Sequence, residues 1–175
     1  MSFSTGQVVV HPHHGPAKVK KVFSRTIRGE RRKYLRLDVP DAELAVAVPV
    51  DAAEEIGVRP VIDLADAREI LDVLVAEGEV PDKVWSRRIK ANGERLRSGD
   101  IRTIAGLIRD LTRQNEEKRL AFGEMKLLRD ATGPFVAELA IVLSMDADDV
   151  AEMIDSAILT RTLPEIPQLQ LAAAS

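Results

Sequence analysis

Trp85 is the single tryptophan of the chain, and Arg87, Arg88 and Lys90 follow it within five residues. Cations at this density can neutralise phosphates without reading sequence. A flat apolar ring beside them can wedge into a minor groove or a distorted base step. At about 100° per residue on a helix, Trp85, Ile89, Asn92 and Leu96 share one face. Arg88 and Arg95 flank that face, and Arg87, Lys90 and Arg97 lie round the other side. The same pattern also suits a half-buried core tryptophan whose charged neighbours face water. Both readings stand at this level.

A second cationic group, Arg25, Arg28, Arg31, Arg32 and Lys33, lies around a turn marked by Gly29, which is free to take a positive φ. The segment "HPHHG" holds all three histidines of the chain, with no acid or thiolate nearby to complete a metal site. It reads as a turn. No glycine-rich phosphate loop precedes a helix, and no histidine remains to serve a serine nucleophile. The residues nominate no catalytic group, no cofactor and no metal. With no cysteine there is no disulfide or thiol chemistry, which suits a reducing cytoplasm. Neither a secretory signal nor a membrane span is expected, so the chain reads as soluble and intracellular.

The net charge of −3 hides a segregation. Residues 1–37 carry +8, residues 38–82 carry −11, residues 83–119 carry +6 and residues 120–175 carry −6. Such blocks are expected where different faces meet different partners, although each could also be plain solvated surface.

The elements that must position these groups change period near residue 60. "QVVV", "AKVKKVFSRTI", "RRKYLRLDV" and "ELAVAVPV" alternate as strands, and their spacing suggests a small twisted barrel. Asp51, with Glu54 three residues on, has capping-box spacing for a short helix. Beyond "VRPVID" the repeat is helical. Asp63, Asp82 and Asp100 each precede a helical stretch, and Asp82 and Asp100 are the candidate caps of the Trp85 helix and its successor. Gly133-Pro134 should break or kink the long segment that follows residue 122. The fold class is therefore α+β: a β domain over 1–58, an all-α helical bundle over 63–162, and a tail over 163–175 expected to be poorly ordered. No apolar heptad announces a dimer, so a monomer is expected.

The segments "GQVVVHPHHGPAKV", "SRTIRGERRKYLRLDV", "VPVDAAEEIGVR" and "WSRRIKAN", with "SGD" following, resemble in order and spacing those of the CarD/CdnL group of bacterial transcription regulators. The resemblance implies a Tudor-like amino-terminal domain that binds the RNA polymerase β subunit through Arg25, Thr26, Ile27, Arg28 and Gly29. It further implies a helical domain contacting promoter DNA at the upstream edge of the melted bubble, where Trp85 wedges into the minor groove. Arg87, Arg88 and Lys90 are the matched basic neighbours. The activity implied is stabilisation of the open promoter complex, without catalysis. Four sites depart from the family pattern. Ala47 stands where an arginine is usual, a loss on the order of 2 kcal/mol if that charge held the partner. His11 and Ile89 replace tyrosines, and Gly133-Pro134 interrupts an expected late helix. The rival readings are an interaction module that binds polymerase or another protein without activating it, and a DNA-binding protein that acts alone.

Overall fold

The computed structural model describes residues 3–12, 14–27, 29–39 and 44–166. The chain divides into two compact units, with the division between Val61 and Ile62.

In the first unit, β1 (Val8–His11), β2 (Gly15–Ile27), β3 (Glu30–Val39), β4 (Leu44–Pro49) and β5 (Arg59–Pro60) form one antiparallel sheet in the order β4-β3-β2-β1-β5. Alternation places Val9, Ala17, Val19, Leu35, Leu37 and Val48 on a common buried face. The sheet is open rather than closed into the expected barrel: among the described residues its edges are β4 and β5. Closure would need a long final strand, whereas β5 has two residues and Pro60 has no N–H to donate. A register shift between Val19 and Lys21 marks a bulge in β2. Beyond it, the described residues of β2 and β3 from Lys20 to Tyr34 contribute nothing to the buried core, so the hairpin projects as a two-stranded ribbon.

Such ribbons are marginal in isolation. Two side-chain contacts brace this one: Phe23 and Tyr34 stack with centroids 5.8 Å apart, and Arg32 Nε donates to Asp51 at 2.9 Å. Asp51 is consequently not the helix cap its spacing suggested. It lies inside a 3-10 turn (Val50–Ala52) preceding α1 (Ala53–Ile56), and neither element has a side-chain cap.

The second unit holds α2 (Leu64–Val75), α3 (Trp85–Arg97), α4 (Ile101–Glu117), α5 (Phe122–Leu143) and α6 (Ala147–Thr160). Asp63 and Asp100 cap as their positions require, accepting from Asp66 N–H at 2.8 Å and Thr103 N–H at 2.7 Å. Ile70, Leu71, Leu74, Leu107, Ile108, Leu111, Leu139 and Leu143 form the centre of the core with Ile154 and Ile158. No helix among the described residues is long and apolar enough to cross a membrane.

Two expectations fail here. Pro134 does not break α5, which runs through it. The hydrogen bond that Pro134 omits would have gone to Asp130, which like Gly133 is exposed, so water can take the freed carbonyl. The tail, expected to be loose from residue 163, begins with an ordered stretch whose Ile166 is buried in the helical core. Residues 167–175 lie outside the described residues.

Arg113 closes the bundle. Its guanidinium donates to the carbonyls of Leu74, Val75 and Ala76 at the end of α2 and of Ile158 near the end of α6, at 2.7 to 3.3 Å. These are the acceptors a helix end leaves unpaired. Arg113→Met keeps the apolar stem and removes every donor. It should lower the unfolding free energy by about 2 kcal/mol, measured by urea denaturation against Arg119→Met, an exposed control expected to change little.

Candidate nucleic-acid interface

Helix α3 is polar, and its only buried residue is Asn92. Ile89 and Leu96 are partly buried, whereas Arg87, Lys90 and Arg97 are exposed. The helical face read from the sequence is thus the face that docks. Trp85 is the first residue of α3 and is 50 % exposed.

What holds this start in place is a carboxylate that sequence reasoning did not nominate. Glu124, in the first turn of α5, is buried. Arg88 Nε donates to its Oε1 at 2.6 Å, Ala121 N–H to its Oε2 at 3.3 Å, and Gln114 Nε2 to Oε1 at 3.5 Å. Burial pushes the Glu124 pKa up, but the hydrogen bonds from Arg88 and Ala121 outweigh it and leave the group below its ordinary value. Arg88 also donates through Nη1 to the Asp82 carbonyl at 2.9 Å. Of the basic group expected to face phosphates, Arg88 is therefore committed inward, while Arg87 and Lys90 make no ion pair among the described residues.

Asp82 does not cap α3. Its carboxylate accepts from Val84 N–H at 2.7 Å, one residue before the helix, and the cap position is held by Val84 with no side-chain acceptor. The first turn of α3 keeps its N–H groups without a side-chain cap. Its register is set instead from the neighbouring helix. A Cβ added to Gly123 would lie 3.3 Å from Ile89 Cδ1 and 3.8 Å from Trp85 Cζ2, so the indole and Ile89 rest on the backbone of α5 at a residue with no side chain. Nothing in the α3 sequence announces Gly123 or Glu124, because both act through fold-dependent geometry, Glu124 on a residue 36 positions away; their local signal is only that of a helix start.

The other candidate group sits at the tip of the β2–β3 ribbon. Arg25, Thr26 and Gly29 are exposed, Ile27 is 46 % exposed, and Gly29 has φ +84°. Arg28 lies outside the described residues. Arg25 pairs across the ladder with Arg32, and Thr26 with Arg31, so like charges face one another at the tip. Arg32 is relieved by Asp51, whereas Arg25 and Arg31 make no ion pair among the described residues. On the edge strand β4, Ala47 is exposed and registers with Arg36. His11 is buried, and its ring lies 4.7 Å from that of His14.

Both groups lie in segments that match known protein families. Residues 3–62 match the CarD-like/TRCF RID domain, and residues 69–155 match the CarD C-terminal domain. The chain is a CarD-like protein. It is also 27 % identical over 142 residues to the "Putative transcription factor YdeB" of Bacillus subtilis (strain 168), covering 80 % of this chain and 92 % of that one. The CarD-like chain is accordingly a transcription regulator by family. The Trp85 helix and Glu124 lie within the C-terminal match, and the cationic ribbon lies within the RID match.

Glu124→Gln should loosen α3, since an amide leaves the Arg88 cation without its counter-charge. The expected cost is on the order of 2 kcal/mol, with faster hydrogen exchange in the first turn of α3 and little change in α2. The wild-type pair is also acid-sensitive. Because the folded Glu124 pKa is depressed, its stabilisation is full above the ordinary glutamate range and disappears as pH falls through the lower folded value. The Gln variant should show a flatter loss of stability over that acidic interval.

Proposed function

We propose that this protein is a non-enzymatic regulator that binds the RNA polymerase β subunit through the β2–β3 ribbon and stabilises the promoter open complex through α3. The observation that carries the reading is Trp85: a half-exposed indole at the first residue of a helix, propped on Gly123 and followed by two cations that make no ion pair among the described residues. A core tryptophan has no need of that placement. An apolar wedge at the upstream edge of a melted bubble does, because it must enter between bases while its backbone stays fixed.

Each residue then has a role. Arg25, Thr26, Ile27, Arg28 and Gly29 form the polymerase-binding tip, with the open β4 edge available for strand addition. Arg87 and Lys90 reach phosphates of the minor-groove strands, a contact that is largely independent of sequence. Arg88 serves the same surface by orienting α3 through Glu124. The family's RID domain supports the polymerase assignment, and Ala47 leaves more of the binding to the ribbon tip. Tethering raises the local concentration of the helical unit near DNA, so weak intrinsic affinity suffices. A wedge that stabilises the open state by about 1.4 kcal/mol multiplies the open-to-closed ratio roughly tenfold. The domains assigned are 1–58 for polymerase and 63–162 for DNA, in a monomer acting in the cytoplasm.

The test is open-complex lifetime on a promoter that opens poorly, with cognate holoenzyme. The intact protein should lengthen it, and both Trp85→Ala and Arg25→Glu should abolish the gain. Arg25→Glu should lose β-subunit affinity, while Trp85→Ala should keep it. No lengthening by intact protein at concentrations that saturate β would leave an interaction module as the better reading. Tight binding to bare duplex without polymerase would favour a factor that acts alone.

A further inference from the structure

The helical unit contains three aromatic residues, Trp85, Phe122 and Phe135. Phe135 is buried in the core as its type demands, whereas Phe122 is 85 % exposed. A chain this poor in aromatic residues leaves one of its largest apolar side chains almost wholly in water.

The position of Phe122 repeats that of Trp85. Each is the first residue of its helix, and each follows a cap residue, Ala121 or Val84, that offers no side-chain acceptor. The Arg88–Glu124 pair joins the first turns of α3 and α5, and Trp85 Cζ2 lies against Gly123, the residue after Phe122. Both exposed aromatics therefore belong to one end of the helical unit. Met125, also partly exposed, extends the apolar surface there. Lys118 and Arg119 precede Phe122, are exposed and make no ion pair among the described residues. Glu116 and Glu117 end α4 just before them, and Glu124 is neutralised by Arg88. With Arg87 and Lys90, which follow Trp85 on α3, four exposed cations that make no ion pair among the described residues lie close in sequence to the two exposed rings.

We infer that Phe122 is a second nucleic-acid contact residue, packing on an unpaired base of the strand separated at the point where Trp85 enters. Single-stranded bases present apolar faces beside a phosphate backbone, and exposed rings set among free cations match both. A partner offering apolar surface alone would leave the four cations without counter-charge, whereas a phosphate backbone beside stacked bases meets both. The inference rests on the DNA-contacting role of α3 proposed above. It adds a second prong, so that the junction is held by ring contacts on both sides of α3's start rather than by one wedge.

The experiment uses full-length protein and cognate holoenzyme on a poorly opening promoter that carries 2-aminopurine at the unpaired base next to the upstream fork. Intact protein, Phe122→Ala, Phe122→Leu and Trp85→Ala are compared for open-complex lifetime, for 2-aminopurine quenching and for β-subunit affinity. Phe122→Ala should shorten the lifetime by roughly five- to tenfold and relieve quenching, with β affinity and thermal midpoint unchanged. Phe122→Leu should restore part of the lifetime without the quenching. Loss of lifetime in Trp85→Ala with full activity in Phe122→Ala overturns the second prong and leaves the α3 reading standing. Full activity in both variants overturns the two together. A Phe122→Ala protein altered in β affinity or in oligomeric state assigns the ring to a protein contact and likewise overturns the inference.

Discussion

One buried carboxylate sets the arrangement of the helical unit. Glu124 has little access to water, so its charge must be met from within. Arg88 meets it from α3, Gln114 from α4 and the Ala121 N–H from its own helix. Arg88 and Gln114 share Oε1, and the Ala121 N–H serves Oε2. The starts of α3 and α5 are thereby brought together, and α3 gains the orientation that its sparse apolar surface could not supply. The placement of Trp85 follows from that pairing and from the missing side chain of Gly123.

The sequence was most legible where the signal is local. Asp100 could be read as a cap because the acceptor and the N–H it serves are three residues apart, whereas Asp63, which caps α2 in the same way, is not among the candidate caps read from the sequence. The presence of strands β1 to β4 and the docking face of α3 were likewise readable from period. Asp82 and Asp51 have similar local chemistry but other uses: Asp82 serves the residue before the helix, and Asp51 faces a cation nineteen residues away. The break allowed for at Pro134 is absent because the tertiary core on both sides of it outweighs one lost hydrogen bond on an exposed face. Ile166 was lost in a tail with no period, since a single anchor has none to show.

Within the candidate site, residue types were legible and their division of labour was not. Arg87, Arg88 and Lys90 look equivalent in the sequence, yet Arg88 turns inward to Glu124 while the other two stay in solvent. The distinction depends on a partner thirty-six residues away. Phe122 could have been found by the signature that singled out Trp85, an aromatic residue within a few positions of adjacent cations. It was absorbed instead into a long apolar segment of α5. Charge segregation has a comparable structural meaning in the first unit, where the ribbon sets Arg25 opposite Arg32 and, among the described residues, Asp51 relieves only the second.

The way α3 is fastened bears on how salt titrations of this protein are to be interpreted. Apart from Asn92 it has no buried residue, and it is tied by Arg88–Glu124 at one end and Arg95–Asp110, at 2.9 Å, at the other. Added electrolyte weakens partly exposed ion pairs such as the second far more than it weakens an apolar core. Electrolyte also weakens phosphate contacts by abolishing the advantage of counterion release. For the DNA contact proposed for α3, the logarithmic slope of affinity against salt is therefore a compound quantity. Part of it counts phosphates, and part of it records the fraction of molecules in which α3 is seated.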